Sequence, residues 1–69
     1  MRERFTKLSI RQRQVVELVT DGKMNKEVAY TLGLSEVTVK TYRGQAMRKM
    51  GARSLADLVK DMAVILAND

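Results

Sequence analysis

The sequence predicts an all-α fold, a four-helix bundle with helices at about 10–20, 26–32, 36–50 and 55–67. Within these segments apolar residues recur three and four positions apart, the spacing of one helix face. No segment shows the sustained alternation of apolar and polar residues that a half-buried strand requires. Proline is absent, and Gly22, Gly33 and Gly51 stand where helices are expected to end.

Short polar residues mark the expected beginnings of the helices, because such side chains accept hydrogen bonds from the amides of a first helical turn. Ser9 and Gln12, three positions apart, have the spacing of a capping box, in which each residue caps the amide of the other. The other expected caps are Asn25, Ser35 and the pair of Ser54 and Asp57.

The chain is short enough to form one domain, which we place at residues 8–69. Residues 1–7 are mostly polar and have no clear period, so we expect a tail or the stub of a linker there. No apolar run approaches the length needed to cross a bilayer, and no signal-peptide core follows the first residues. We therefore expect a cytoplasmic protein.

The composition argues against an enzyme. The chain has no cysteine and no histidine, so it lacks the side chains best suited to metal binding and to proton transfer at neutral pH. Asp57 and Asp61 lie one helical turn apart without a third ligand, which is typical of a solvated face. We expect no cofactor and no metal.

Positive charge is concentrated in one part of the chain. The whole sequence has 13 Lys and Arg against 8 Asp and Glu, a net charge of +5. Between residues 37 and 53 stand five cations and no acid: Lys40, Arg43, Arg48, Lys49 and Arg53. A local cluster of this kind indicates contact with a polyanion better than it indicates general solubility.

The junction Gly33-Leu34-Ser35 joins two of the predicted helices. Helices linked by so few residues must cross at a sharp angle, about 90–120°. Ala29 is small enough for the backbones to come close there, and Gly33 tolerates the positive φ that the turn needs. Val39 is placed to hold the second helix against the first. This pattern, taken at these spacings, predicts a helix-turn-helix.

One face of the helix at 36–50 is expected to remain free. The packing side is expected to carry Val39, Tyr42, Ala46 or Met47, and Met50. The opposite side carries cationic or short side chains, and such a face fits the major groove of DNA, which is about 12 Å wide. The expected base contacts are Val37, Lys40, Thr41 and Gly44, with Gly44 allowing a close approach.

Phosphate contacts are expected around this face. Arg43, Arg48 and Lys49 lie nearer its flanks, where cations orient a protein on DNA without reading the sequence. The amides that follow Asn25 and Ser35 are two further expected phosphate sites, because the first N–H groups of a helix are unpaired.

The last helix is apolar over more than half of its circumference. One stripe is expected to pack within the domain: Leu55, Leu58, Val59, Met62 and Leu66. A helix with so wide an apolar surface usually covers a second surface as well. We expect a self-association surface at Ala56, Lys60, Ala63, Val64 and Ala67. The alternative is contact with the N-terminal tail or with the helix at 10–20.

Several sequence blocks at matching spacings resemble one family. They are residues 8–16 (LSIRQRQVV), 25–29 (NKEVA), 34–40 (LSEVTVK), 47–50 (MRKM) and 52–55 (ARSL). Over about residues 8–59 the chain resembles the LuxR-type helix-turn-helix domain, the output domain of FixJ- and NarL-like response regulators.

The resemblance implies a four-helix domain that binds promoter DNA, usually as a dimer and often through its last helix. It implies base contacts at Lys40, Thr41 and Gly44. It implies backbone contacts at or near Asn25, Lys26, Ser35, Thr38 and Arg43. Family members commonly carry this domain behind a receiver or ligand-binding domain, so the chain is expected to be such an output domain rather than a stand-alone regulator.

Three departures from the family pattern are expected to matter. Gln12 and Gln14 stand where acids are usual, so an ion pair made there by Arg11 is weakened or moved. Tyr42 replaces the usual histidine, which removes a pH response. Gly44 stands where a longer side chain often reads a base.

The sequence therefore predicts a bacterial DNA-binding transcription regulator, associated with the nucleoid when bound. Its expected partners are double-stranded promoter DNA, a second copy of the chain, and RNA polymerase as a candidate, but no membrane. The alternative is a helical protein–protein interaction module of the transcription machinery. RNA binding is disfavoured, because the A-form major groove excludes a helix and the chain is expected to lack exposed aromatic residues for stacking.

Overall fold

A computed structural model describes residues 2–67 of the chain and the side chains of residues 4–67. It contains five helices, which are α1 (Arg2–Thr6), α2 (Ile10–Thr20), α3 (Asn25–Leu32), α4 (Glu36–Met50) and α5 (Leu55–Ala67). The described residues form no strand, so the all-α prediction is confirmed, and α2 to α5 are the four predicted helices. Residue 1 of the predicted tail and residues 68 and 69 of the predicted domain lie outside the described residues.

Helices α2 and α4 form the centre of the fold because each contributes to both apolar clusters. One cluster joins α2, α3 and α4 through Val15, Val19, Val28, Ala29 and Val39. The other joins α2, α4 and α5 through Leu8, Val16, Ala46, Met50, Leu58, Met62 and Ile65. At 3.6 residues per turn, Val39, Ala46 and Met50 share one face of α4. Their burial turns the opposite face of α4 away from the protein.

Two predicted N-caps are confirmed by their hydrogen bonds. The amide of Gln12 donates to Ser9 Oγ at 3.1 Å, and the amide of Ser9 donates to Gln12 Oε1 at 2.9 Å, which completes the capping box. The amide of Thr38 donates to Ser35 Oγ at 3.1 Å. A cap of this kind stabilises a helix by about 1 kcal/mol, so these residues fix where α2 and α4 begin.

The prediction that Asn25 caps α3 is wrong. The cap is Met24, because the amide of Val28 donates to the Met24 carbonyl at 2.9 Å. The carboxylate of Glu27 accepts the amide of Met24 at 3.0 Å. Asn25 is the first helical residue, and its Oδ1 accepts a hydrogen bond from Arg43 of α4 at 3.2 Å. The Asn25 side chain, which the local sequence predicted to be a cap, is therefore hydrogen-bonded to Arg43, 18 positions away in the sequence.

The turn between α3 and α4 is built as predicted. Gly33 has φ 68° and ψ 36°, the left-handed conformation that costs a residue with a Cβ about 1–2 kcal/mol. The amide of Leu34 then donates to the carbonyl of Ala29 at 2.9 Å, which closes the end of α3. Ala29 is itself buried where the two helices meet. Ser35 follows at once and starts α4.

The expected tail at residues 1–7 contains a helix that packs on the domain. Phe5 of α1 packs against the cluster that contains Leu8. The guanidinium of Arg13 lies 5.1 Å from the centroid of the Phe5 ring. Arg4 Nη1 donates to the carbonyl of Met50 at 3.3 Å, at the C-terminal end of α4. A helix of five residues has too few turns to show a period, and its stability comes from such tertiary contacts.

Helix α5 begins as predicted but turns a different face inward. The amide of Asp57 donates to Ser54 Oγ at 3.2 Å. The buried residues of α5 are Leu58, Met62 and Ile65. The stripe expected from the sequence is wrong at Leu66, which is 67% exposed, and also at Leu55 and Val59, which are exposed as well. The spacing of four and three residues from 58 to 65 centres the buried stripe on Ile65 rather than on Leu66.

The substitution Phe5→Ala should lower the free energy of unfolding by about 1–2 kcal/mol, since a half-buried ring contributes less than the roughly 3–5 kcal/mol of a fully buried one. Urea denaturation followed by circular dichroism measures this change. Ile10→Ala is the matched control because Ile10 is 78% exposed, and it should change stability by less than about 0.5 kcal/mol. Equal effects of the two substitutions would show that α1 does not pack on the core.

Candidate nucleic-acid interface

The four residues predicted to contact bases lie on the open face of α4. Val37, Lys40 and Thr41 are exposed, Val37 by 73%, and Gly44 is half-buried. They lie opposite the buried Val39, Ala46 and Met50. The arrangement leaves a continuous strip of α4 that carries a cation, a methyl-bearing hydroxyl and a glycine towards solvent.

Because Gly44 has no side chain, the backbone of α4 is accessible at this point of the strip. A Cβ built on Gly44 would have Arg48 Nη1 as its nearest neighbour, at 3.6 Å, which is an ordinary contact. The Arg48 side chain therefore extends along the same strip. Thr41 Oγ1 donates to the carbonyl of Val37 at 3.1 Å, so its methyl group and its lone pairs remain for an external partner.

The first turn of α4 holds two of the predicted phosphate contacts. Ser35 Oγ accepts the amide of Thr38 and donates to Thr38 Oγ1 at 2.9 Å. The remaining N–H groups of the first turn have no acceptor within the helix. This end of α4 is therefore suited to an anion, as expected for the amides after Ser35.

One flank of α4 is joined to the beginning of α3. Arg43 Nη1 donates to Asn25 Oδ1, so two residues predicted to contact phosphates lie together. They line a groove of about 560 Å³, and the predicted contact Lys26 lines it as well. Lys23 lies on the same groove, and so does the acid Glu36. The groove thus gathers three cations.

The other flank of α4 is joined to the beginning of α2 by residues that the sequence did not link. Lys49 Nζ donates to Gln12 Oε1 at 3.0 Å and to the Lys7 carbonyl at 3.3 Å. Gln12 Nε2 donates to Gln45 Oε1 at 2.9 Å. The predicted phosphate contact Lys49 is therefore held by two internal acceptors. The capping-box spacing identified Gln12, but no local signal indicates partners more than 30 positions away.

The residues of the expected self-association surface share one exposed face of α5. They are Ala56, Lys60, Ala63, Val64 and Ala67. By helical spacing this face is opposite the buried Leu58, Met62 and Ile65. The exposed face of α5 is therefore separate from the face that packs within the domain.

The departure from family pattern at α2 has a structural consequence. Arg11 donates to Gln14 Oε1 at 3.2 Å and to the carbonyl of Leu32 at 3.4 Å, at the end of α3. The guanidinium thus donates to two neutral oxygens, whereas an acid at position 14 would have formed an ion pair with it. Tyr42 is half-buried beside the cluster of Val15 and Val39, on the expected packing side of α4. The expectation that no aromatic residue is exposed is wrong, because Tyr30 of α3 is 91% exposed.

Two further features of functional importance are metal-binding clusters and membrane-spanning helices. Within the described residues, no three His, Cys, Asp or Glu side chains come together as a metal site would require. No helix within residues 2–67 is long and apolar enough to span a bilayer.

The chain matches the family described as bacterial regulatory proteins, luxR family, over residues 6–62. Nodulation protein W of Bradyrhizobium diazoefficiens is 59% identical over 56 residues, which are 81% of this chain and 25% of that protein. Transcriptional regulatory protein FixJ of Azorhizobium caulinodans is 48% identical over 58 residues, which are 84% of this chain and 28% of that protein.

A solved structure shares the same fold. The structure of response regulator StyR superposes with a TM-score of 0.82 at 46% sequence identity, over 86% of this chain and 30% of that chain. The chain thus spans between a quarter and a third of the length of these relatives.

These similarities confirm the resemblance that the sequence blocks indicated. The matched segment includes all of α2, α3 and α4, and it therefore contains the whole open face described above. A family of regulatory proteins is not a family of enzymes, so the prediction that the chain is not an enzyme is confirmed. The chain belongs to the luxR family of bacterial regulatory proteins.

Proposed function

We propose that this chain binds double-stranded promoter DNA with sequence specificity, as the output domain of a two-component response regulator. The function class, DNA-binding transcription regulation, is supported by the family and by relatives that are named as transcriptional and response regulators. The observation that carries the proposal is the open face of α4, whose opposite face is buried. The proposal assigns α4 to the major groove, with Val37, Lys40, Thr41 and Gly44 towards the bases.

Phosphate contacts would supply most of the affinity. Lys26 and Arg43 lie on one side of the open face, and Arg48 lies along it, so cations surround the base-contacting strip. Each cation that reaches a phosphate releases a counterion, which makes binding weaken steeply with salt. Asn25, Ser35, Thr38 and the first amides of α4 would orient the domain as neutral contacts.

Selection of bound duplexes from a random DNA pool tests the proposal. A specific regulator should enrich one motif, and a dimer should enrich an inverted repeat with half-sites about one helical turn, roughly 34 Å, apart. If no sequence is enriched and the chain instead binds a protein of the transcription machinery, the interaction-module alternative is favoured. A location in the bacterial cytoplasm, at the nucleoid, would follow from promoter binding, and RNA polymerase is a further proposed partner there.

Self-association through α5 is the second part of the proposal. Ala56, Lys60, Ala63 and Ala67 recur at intervals of four, three and four residues, which is the repeat that lets two helices pack along their length. The three alanines are small enough for the helix axes to come close. Two copies joined in this way would present two recognition helices to one inverted repeat.

Lys40→Ala should reduce affinity for the selected site by about 1–3 kcal/mol and relax the preference at one base pair. Arg43→Ala should weaken binding to specific and random duplexes alike and should lower the salt dependence by about one counterion. Affinity measured by fluorescence anisotropy at several salt concentrations separates the two effects. If Lys40→Ala weakens both duplexes equally, Lys40 does not read a base.

Gly44→Ala should have opposite effects on stability and on binding. Because Gly44 lies within α4 and a Cβ there meets nothing closer than 3.6 Å, alanine should raise the free energy of unfolding by about 0.5–1 kcal/mol. The added methyl group should also hold α4 further from the bases and so weaken specific binding. Urea denaturation and anisotropy measure the two quantities. Unchanged affinity in the stabilised variant would show that no close approach occurs at Gly44.

Ala63→Glu should prevent pairing of two domains, because it would bury unpaired charges between the two α5 helices. We expect binding to the inverted repeat to weaken about tenfold or more, while binding to a single half-site stays unchanged. Sedimentation of the complexes gives the number of chains per duplex. Ile10→Glu introduces the same charge at an exposed position of α2 and is the control. Two chains per repeat in Ala63→Glu would place the dimer contact elsewhere.

A further inference from the structure

A buried amide of α2 contacts two side chains of α4. Gln12 is only 6% exposed and is the one buried polar residue among the described residues. Its Oε1 accepts from the Ser9 amide at 2.9 Å and from Lys49 Nζ at 3.0 Å. Its Nε2 donates to Gln45 Oε1 at 2.9 Å. Two of these hydrogen bonds, those with Gln45 and Lys49, join the first turn of α2 to the second half of α4.

The direction of every hydrogen bond in this network follows from its two donor-only members. A backbone amide and a lysine ammonium can donate but cannot accept. The atom of Gln12 that faces Ser9 and Lys49 must therefore be the oxygen, which leaves Nε2 towards Gln45. Gln45 must then face Gln12 with its oxygen. Its Nε2, with two N–H groups, is consequently turned away from Gln12.

The outer side of this network is a concave surface lined by donors. A cavity of about 330 Å³ is lined by Gln12, Gln45, Arg48 and Lys49, all of them amides or cations. Lys49 uses two of its three N–H donors on Gln12 and on the Lys7 carbonyl, so one remains. Gln45, Arg48 and Lys49 stand at positions i, i+3 and i+4 of α4, which places them side by side.

We propose that Gln45, Arg48 and Lys49 form one binding site for a backbone phosphate of DNA, and that Gln12 is the positioning residue that directs the Gln45 amide towards it. The inference rests on the proposed DNA-binding function. A phosphate matches the site because its oxygens accept several charge-assisted hydrogen bonds at once. The site adds Gln45 to the contacts on the flank of α4 opposite Arg43.

An amide at position 12 is essential to this arrangement. A carboxylate there would still accept from Ser9 and Lys49, but it could not donate to Gln45. The Gln45 amide would then reverse, so that its nitrogen faced the carboxylate and its oxygen faced the phosphate. The carboxylate would also neutralise Lys49. The substitution Gln12→Glu therefore preserves the cap of α2 while it changes both the polarity and the charge of the site.

Binding of the whole chain to a short random-sequence duplex, measured at several salt concentrations, tests the inference. Gln12→Glu should weaken binding about tenfold and reduce the salt slope by about one unit. Gln14→Glu is the matched control, since it carries the same charge change on the other side of α2, where Gln14 accepts from Arg11. The control should change affinity by less than about twofold, as expected for a distant screened charge.

Gln45→Met gives an independent measurement if Gln12→Glu does not fold. It removes the outward N–H groups with little change in volume, and it should weaken specific and random duplexes alike, by about tenfold. Wild-type affinity for DNA in Gln45→Met would overturn the phosphate site. It would also be overturned if Gln12→Glu and Gln14→Glu lost affinity for DNA equally and both kept the wild-type salt slope. Absence of duplex binding by the wild-type chain would instead overturn the proposed function itself.

Discussion

The domain depends on the packing of α4 against α2. Val39, Ala46 and Met50 are 1% exposed or less, and they connect α4 to both apolar clusters of the protein. Because one face of α4 is buried in the core, only the opposite face is accessible to a binding partner. The open face of α4 is therefore a consequence of core burial, and the residues that build the core also determine which side chains of α4 point outwards.

Burial alone would allow α4 to rotate slightly about its own axis, and polar contacts on both flanks oppose that rotation. Arg43 is joined to Asn25 of α3 on one side, and Lys49 is joined to Gln12 of α2 on the other. A rotation in either direction would stretch one of these hydrogen bonds. The cations that are proposed to orient the domain on a phosphate backbone thus also hold α4 in register within the protein.

The features of the fold that neighbouring residues determine were predictable from the sequence. The caps at Ser9 and Ser35 and the turn at Gly33 follow from local chemistry, and so do the bounds of α2, α4 and α5 and the end of α3. The features that depend on contacts between residues far apart in the sequence were not predictable. Asn25 has the short polar side chain of a cap, and nothing in the neighbouring sequence indicates its contact with Arg43 of another helix. The short helix α1 has no periodic pattern of its own. The exposure of the α4 strip was predictable, whereas the contacts of Gln12 with α4 were not.

The most direct test of the central claim is the position of the open face of α4 relative to DNA. Nuclear Overhauser effects between protein methyl groups and DNA protons report contacts of this kind in solution. The proposed binding mode predicts effects from the methyl groups of Val37 and Thr41 to base protons of the major groove, such as thymine methyl and cytosine H5. Effects that come instead from residues of α5, or that reach only sugar protons of the minor groove, would contradict it.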